Sequence, residues 1–103
     1  IITEMKESQS ITSGEILLEK FMKPHGLSQY ALAKDLAVSP MRISEIVRGK
    51  RAITADTALR LGIYFGTGPD YWLRIQSESD LRKARRQAGK KIARKVKPRV
   101  VAA

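Results

Sequence analysis

Cysteine is absent from the 103 residues, which excludes disulfides and thiolate metal sites and leaves the redox compartment undecided. Histidine occurs once, as His25 between Pro24 and Gly26. A lone imidazole in a turn supplies neither a zinc site nor a catalytic dyad, so no metal and no cofactor are expected. No apolar run approaches the roughly eighteen residues of a membrane span, and no signal-peptide pattern opens the chain. The expectation is a soluble, cytoplasmic protein; the chain opens on Ile1-Ile2, and Met5 is a candidate start. No nucleophile–base pair, metal-ligand spacing or glycine-rich phosphate loop is present, which removes the enzyme classes. Acid is missing from one end: no Asp or Glu follows Asp80, while ten of the twenty lysines and arginines do. The net charge of +10 is therefore a property of that end, and the remainder is nearly balanced. Such an end suits nucleic acid, an acidic partner, or solubility alone.

An apolar share of 43% is ordinary for a folded domain, and start and stop signals divide it into helices. Residues 1–11 are polar, lack periodicity and read as a flexible lead-in. Thr12-Ser13-Gly14-Glu15 fits a capping box, a hydroxyl three residues before a glutamate. The first helix carries Ile16, Leu17 and Phe21 and stops near Pro24. Ser28 caps a second helix, Gln29 to about Leu36, with Leu32, Ala33 and Leu36 on its inner face. After Ala37-Val38, Ser39-Pro40 starts a third, with a capping hydroxyl followed by proline at the first helical position. It runs to about Arg48, and Gly49 ends it. Thr54 caps an apolar fourth helix closed by Gly66. Pro69-Asp70 opens a fifth, rich in Tyr71, Trp72, Leu73 and Ile75, which frays beyond Leu81. No stretch has the alternation of a strand. The expected architecture is all-α: a compact five-helix domain over 12–82, with a basic tail over 83–103. The tail reads as disordered, or as a helix formed on binding phosphates.

Counted from Gln29, apolar residues fall at the fourth, eighth, tenth, fifteenth and eighteenth places: Leu32, Leu36, Val38, Ile43 and Ile46. The fifth place is the small Ala33. Two helices crossing steeply through a short turn need a small residue where their backbones approach and apolar residues at each inward position. That is the pattern of a helix-turn-helix over about 28–48. It holds the later helix clear of the domain, so that its first turn enters a major groove about 12 Å wide. The ninth place, where a positive φ is needed, holds Ala37 instead of the usual glycine.

The outward residues sort by chemistry. Pro40, Met41, Arg42, Ser44 and Glu45 are the candidates for base contact. Arg42 has the fork that suits guanine, and Met41 the apolar surface that suits a thymine methyl. Glu45 either accepts from a cytosine amine or pairs with Arg42 or Arg48. Gln29, Ser39, Arg48, Lys50 and Arg51 are the candidates for phosphate contact. An RNA-binding module is the weaker reading, because no exposed aromatic platform is evident.

These residues resemble the Xre/Cro/cI (lambda repressor-like) class, and more narrowly the HigA (VapI) type of antitoxin. The narrower resemblance rests on Gly14-Glu15-Ile16-Leu17, on Leu27 to Ala33, on Gly49-Lys50-Arg51-Ala52-Ile53-Thr54 through Leu61, and on Phe65-Gly66-Thr67. Its most specific part is Tyr71-Trp72-Leu73 with Gln76, followed by Asp80-Leu81-Arg82. Thr12-Ser13 stand where the family often has His-Pro, and the basic tail is not a hallmark of it. The resemblance implies a homodimer on a palindromic operator in double-stranded DNA, repression of its own operon, and a RelE-like, mRNA-cleaving toxin as partner. The alternative is a stand-alone repressor of phage or plasmid type. The expected dimer surface is Tyr71, Trp72, Leu73 and Gln76. Trp72 taken alone reads either as core or as part of that seam.

Overall fold

The structure is a computed structural model that describes residues 11–100. All regular structure among those residues is helical, in five helices. Helix α1 starts at Ser13–Ile16, continues as the wider π-helical stretch Leu17–Met22 and tightens into the 3-10 turn Lys23–His25. It is followed by α2 (Gln29–Leu36), α3 (Pro40–Val47), α4 (Ala55–Phe65) and α5 (Pro69–Lys95).

Local chemistry accounts for the helix ends. Thr12 and Glu15 form the reciprocal capping box: Thr12 Oγ1 accepts from the Glu15 amide at 3.1 Å, and Glu15 Oε1 from the Thr12 amide at 2.8 Å. Ser28 Oγ caps α2 at 3.0 Å and Ser39 Oγ caps α3 at 3.1 Å, each satisfying an amide that has no partner inside its helix. Ala37 ends α2 at φ 60°, ψ 45°, and no other non-glycine described residue has a positive φ. An L-residue is strained there. Ala37→Gly is expected to raise stability by about 0.5–1 kcal/mol, seen as a thermal midpoint higher by several degrees; an unchanged or lower midpoint would show that the turn carries no such strain.

Packing follows the inward positions. Leu32, Ala33, Leu36, Ile43 and Ile46 are buried and Val38 is half-buried, joined by Leu17, Met22, Ile53, Ala58, Leu61, Trp72 and Ile75. Phe21, Phe65 and Tyr71 surround the Trp72 ring at centroid distances of 4.7, 6.0 and 5.1 Å. The indole Nε1 donates to Thr67 Oγ1 at 2.8 Å, so the polar atom of a wholly buried side chain is satisfied. Gly14 passes against the backbone of Ile46 and Val47 in α3, which fixes α1 to the back of that helix.

Two expectations change at the ends of the domain. The lead-in lies outside the described residues except for Ile11, which is 3% exposed. The Ile11 carbonyl accepts from Arg82 Nη2 at 2.9 Å. At the other end, α5 does not fray beyond Leu81 but continues to Lys95. Ala84, Ala88, Ala93 and the lysines, arginines and Gln87 are strong helix formers, and no proline occurs between Pro69 and Pro98, so local propensity carries the helix past its last core contact. Its 27 residues give a rod of about 40 Å.

Candidate nucleic-acid interface

Helix α3 presents its first turn to solvent. Pro40 is exposed, Met41 is 65% exposed, and Ser44 and Glu45 are half-buried along the rim. Ser39 and Arg48 are exposed at the two ends of the helix, and Lys50 and Arg51 in the loop beyond it. Gln29, half-buried, opens α2. The ten sequence candidates therefore group around α3 and the two chain segments beside it.

Several of them are already held by neighbours. Arg42 turns toward the start of α4, where its Nη1 donates to Asp56 Oδ1 at 2.9 Å and Thr57 Oγ1 at 3.3 Å. Glu45 pairs with Arg51 at 2.7 Å, not with Arg42 or Arg48 as the sequence reading allowed; Arg51 is extended enough to reach back from the loop. Arg48 Nε donates to the Ser44 carbonyl at 3.3 Å. The Ser39 hydroxyl oxygen is engaged as the α3 cap. These pairs lie in water and are weak, so they orient the guanidinium groups without locking them away from a ligand.

Asp56 organises this edge. It accepts from Arg60 Nε at 2.7 Å as well as from Arg42. The Arg60 hydrogen bond first, and the Arg42 one second, hold its carboxyl below the ordinary carboxylate value of 3.8. A lowered folded-state pKa means these pairs persist below the pH at which a free aspartate protonates and are lost as the pH falls through the lowered value. A carboxyl-carbon NMR titration of Asp56 is expected to have its midpoint below 3.8 and to move back toward it in Arg60→Gln; an unshifted midpoint in the parent protein would remove the pairing in solution.

Arg60 also donates to the Leu36 carbonyl at 2.8 Å and the Ala37 carbonyl at 3.3 Å. It thereby ties the turn between α2 and α3 to α4. Tyr64 adds a second tie, donating to Asp35 Oδ2 at 2.7 Å, an interaction that raises the phenol above its usual pKa of 10. Neither residue was a sequence candidate, since each bond spans more than twenty residues. Tyr30, 68% exposed in the first turn of α2, is a further surface residue that the sequence reading passed over.

The dimer candidates divide. Trp72 is 0% exposed and leaves no surface for a second chain; Phe21 from α1 and Phe65 from α4 enclose its ring. Gln76 is also turned inward. Its Oε1 accepts from Ser13 Oγ at 2.5 Å and from the Ile53 amide at 2.8 Å, and its Nε2 donates to Asp80 at 2.9 Å. It bolts α1, the α3–α4 loop and α5 together. Tyr71 is half-buried beneath Lys20 and Arg74, and Leu73 is 38% exposed.

The helix-turn-helix family pattern matches residues 18–72. The chain belongs to that family, in its HigA and VapI branch. Virulence-associated protein I of Dichelobacter nodosus is 58% identical over 78 residues, covering 76% of this chain and 72% of that protein. Among solved structures, the Pseudomonas aeruginosa antitoxin HigA with the higBA promoter superposes with a TM-score of 0.85 at 40% identity, over 89% of this chain and all of that one. Antitoxin GraA in complex with its operator gives a TM-score of 0.84 at 42% identity, over 91% of this chain and 94% of that one. Among the described residues no helix is long and apolar enough to cross a membrane.

Proposed function

We propose that this helix-turn-helix protein is a DNA-binding antitoxin that reads a palindromic operator as a homodimer, represses its own operon and neutralises a RelE-like, mRNA-cleaving toxin. The observation that carries the DNA-binding part is the first turn of α3. Pro40 and Met41 are exposed at its tip, with Arg42, Arg48, Lys50 and Arg51 around them. That combination offers base-reading side chains in a ring of phosphate-neutralising ones.

Under this reading Met41 and Arg42 face base edges, with Pro40, Ser44 and Glu45 beside them. Gln29, Ser39, Arg48, Lys50 and Arg51 take the phosphates on either side. Glu45 accepts from a base while it holds Arg51 through Oε1, since a carboxylate has two acceptor oxygens. A second copy sets its own α3 about one DNA turn (~34 Å) away. Leu73 and Tyr71 are the members of the expected seam that keep surface for it. The protein acts in the bacterial cytoplasm, on the nucleoid when bound to its operator. The toxin part rests on the HigA name of its relatives.

Co-purification from the native locus, neighbouring reading frames included, tests the toxin part. The expected result is a small partner in stoichiometric amount that arrests growth when expressed alone. A clean homodimer that shifts its own promoter and retains no protein would instead establish the stand-alone repressor.

A further inference from the structure

The fold uses α5 only as far as its contacts with the domain reach. Trp72, Gln76, Ser79, Lys83, Arg86, Lys90 and Arg94 recur at intervals of three and four, so they share one side of the helix. The first three face the domain: Trp72 is buried, and Gln76 and Ser79 are half-buried. The last four carry the same side beyond the domain's edge, exposed and basic. The change occurs beside the α3–α4 loop, where Lys83 shares a shallow groove with Gly49, Lys50, Arg51, Ser79 and Asp80. Asp80 is the last acid in the chain, and its carboxylate is engaged by Gln76.

We propose that the second half of α5 is a second DNA-contacting arm, whose Lys83–Arg86–Lys90–Arg94 stripe follows the phosphates of duplex DNA next to the segment held by α3 and the α3–α4 loop. Three observations support duplex DNA as the occupant. The stripe is continuous, through the groove at Lys83, with Lys50 and Arg51, and it rests on their proposed role as phosphate contacts. It holds a single sign of charge, and no acid in the sequence follows it. The segment from Leu81 to Lys95 is about 22 Å long, enough to pass several phosphates at one charge per roughly 1.7 Å of duplex axis. The arm reads no bases. It adds affinity that is independent of sequence and steep in salt, which separates it from the proposed operator reading and lets it be tested on any duplex.

The experiment uses the full chain and the triple variant Lys83→Gln/Lys90→Gln/Arg94→Gln, in which glutamine keeps the helix propensity. Circular dichroism checks that helix content is retained, and single substitutions replace the triple variant if it is not. Binding is measured by fluorescence anisotropy across a salt series on the protein's own promoter duplex and on a scrambled duplex of equal length. The arm predicts that the slope of log K against log [salt] becomes shallower by about 2–3 for each protomer bound, on both duplexes, at roughly 0.9 per phosphate contact. Affinity for both at low salt should fall on the order of tenfold or more. Slopes and affinities equal to those of the parent protein overturn the arm, as does a loss confined to single-stranded RNA or poly-glutamate offered as competing probes. A parent protein that binds both duplexes equally would contradict operator reading while the slope difference still decides the arm.

Discussion

Gly14→Ala should destabilise this protein by about 3 kcal/mol or more, the upper range for forcing extra volume into a packed site. A Cβ built at Gly14 lands on the Ile46 carbonyl oxygen and lies 2.7 Å from the Ile46 carbonyl carbon and 3.0 Å from Val47 Cα. All three are backbone atoms of α3, so no side-chain rotation relieves the overlap. Either α1 or α3 must move, and α1 is also held by Gln76 through Ser13. At about 4–8 °C per kcal/mol for a domain of this size, the thermal midpoint should drop by more than 10 °C. Gly89→Ala makes the control. The nearest atom to its Cβ is Arg85 Cβ at 3.7 Å, an ordinary contact, and alanine replaces glycine inside a helix. That variant should gain about 0.5–1 kcal/mol. Equal midpoints for the two variants would contradict the close approach of α1 and α3.

Arg42→Ala should cost about 1–3 kcal/mol of discrimination between operator and scrambled DNA, a factor of roughly 5–150, with the fold intact. The structure adds a condition to this expectation. Arg42 rests against Asp56 and Thr57, so reading a base requires the guanidinium to swing away from α4. Asp56 also has Arg60 as a partner and is not left bare when Arg42 departs. Arg42→Lys keeps the charge and loses the fork, so it should retain non-specific affinity while losing most of the discrimination. Competitive anisotropy with the two duplexes measures both. Equal weakening on operator and scrambled DNA by Arg42→Ala would show that Arg42 touches only phosphate.

What was legible in the sequence was local. Ser28, Ser39 and Thr54 act within three residues of themselves, and a capping hydroxyl leaves its mark at a fixed offset. The small Ala33 and the apolar places around it express one crossing of two adjacent helices. Ala37 was readable as the turn because nothing else between Leu36 and Ser39 takes that place, although the usual glycine is missing. The basic end hid its helix because two local signals oppose each other. Like charges repel along a helix, whereas alanine, lysine and arginine favour one; in the structure propensity prevails.

What was not legible was long-range pairing. Arg42 and Asp56 are 14 residues apart, and Gln76 meets Ser13 across 63. No periodicity encodes such partners. Trp72 shows the same limit from the side of packing. The sequence displays six aromatic side chains, but only the fold shows that Phe21 and Phe65 arrive from other helices to enclose the indole. The expected dimer surface was therefore too large by Trp72, which is buried, and Gln76, named beside it, is a half-buried fastening.

The central claim is that α3 reads DNA. Hydroxyl-radical footprinting of the purified full chain on the DNA upstream of its own reading frame tests it most directly. The account predicts two protected half-sites, related by a palindrome and centred about one helical turn (~34 Å) apart, which fade in Arg42→Ala at protein concentrations that still give non-specific binding. Uniform protection along the duplex, or half-sites that persist unchanged in Arg42→Ala and Met41→Ala, would contradict a reading head on the first turn of α3.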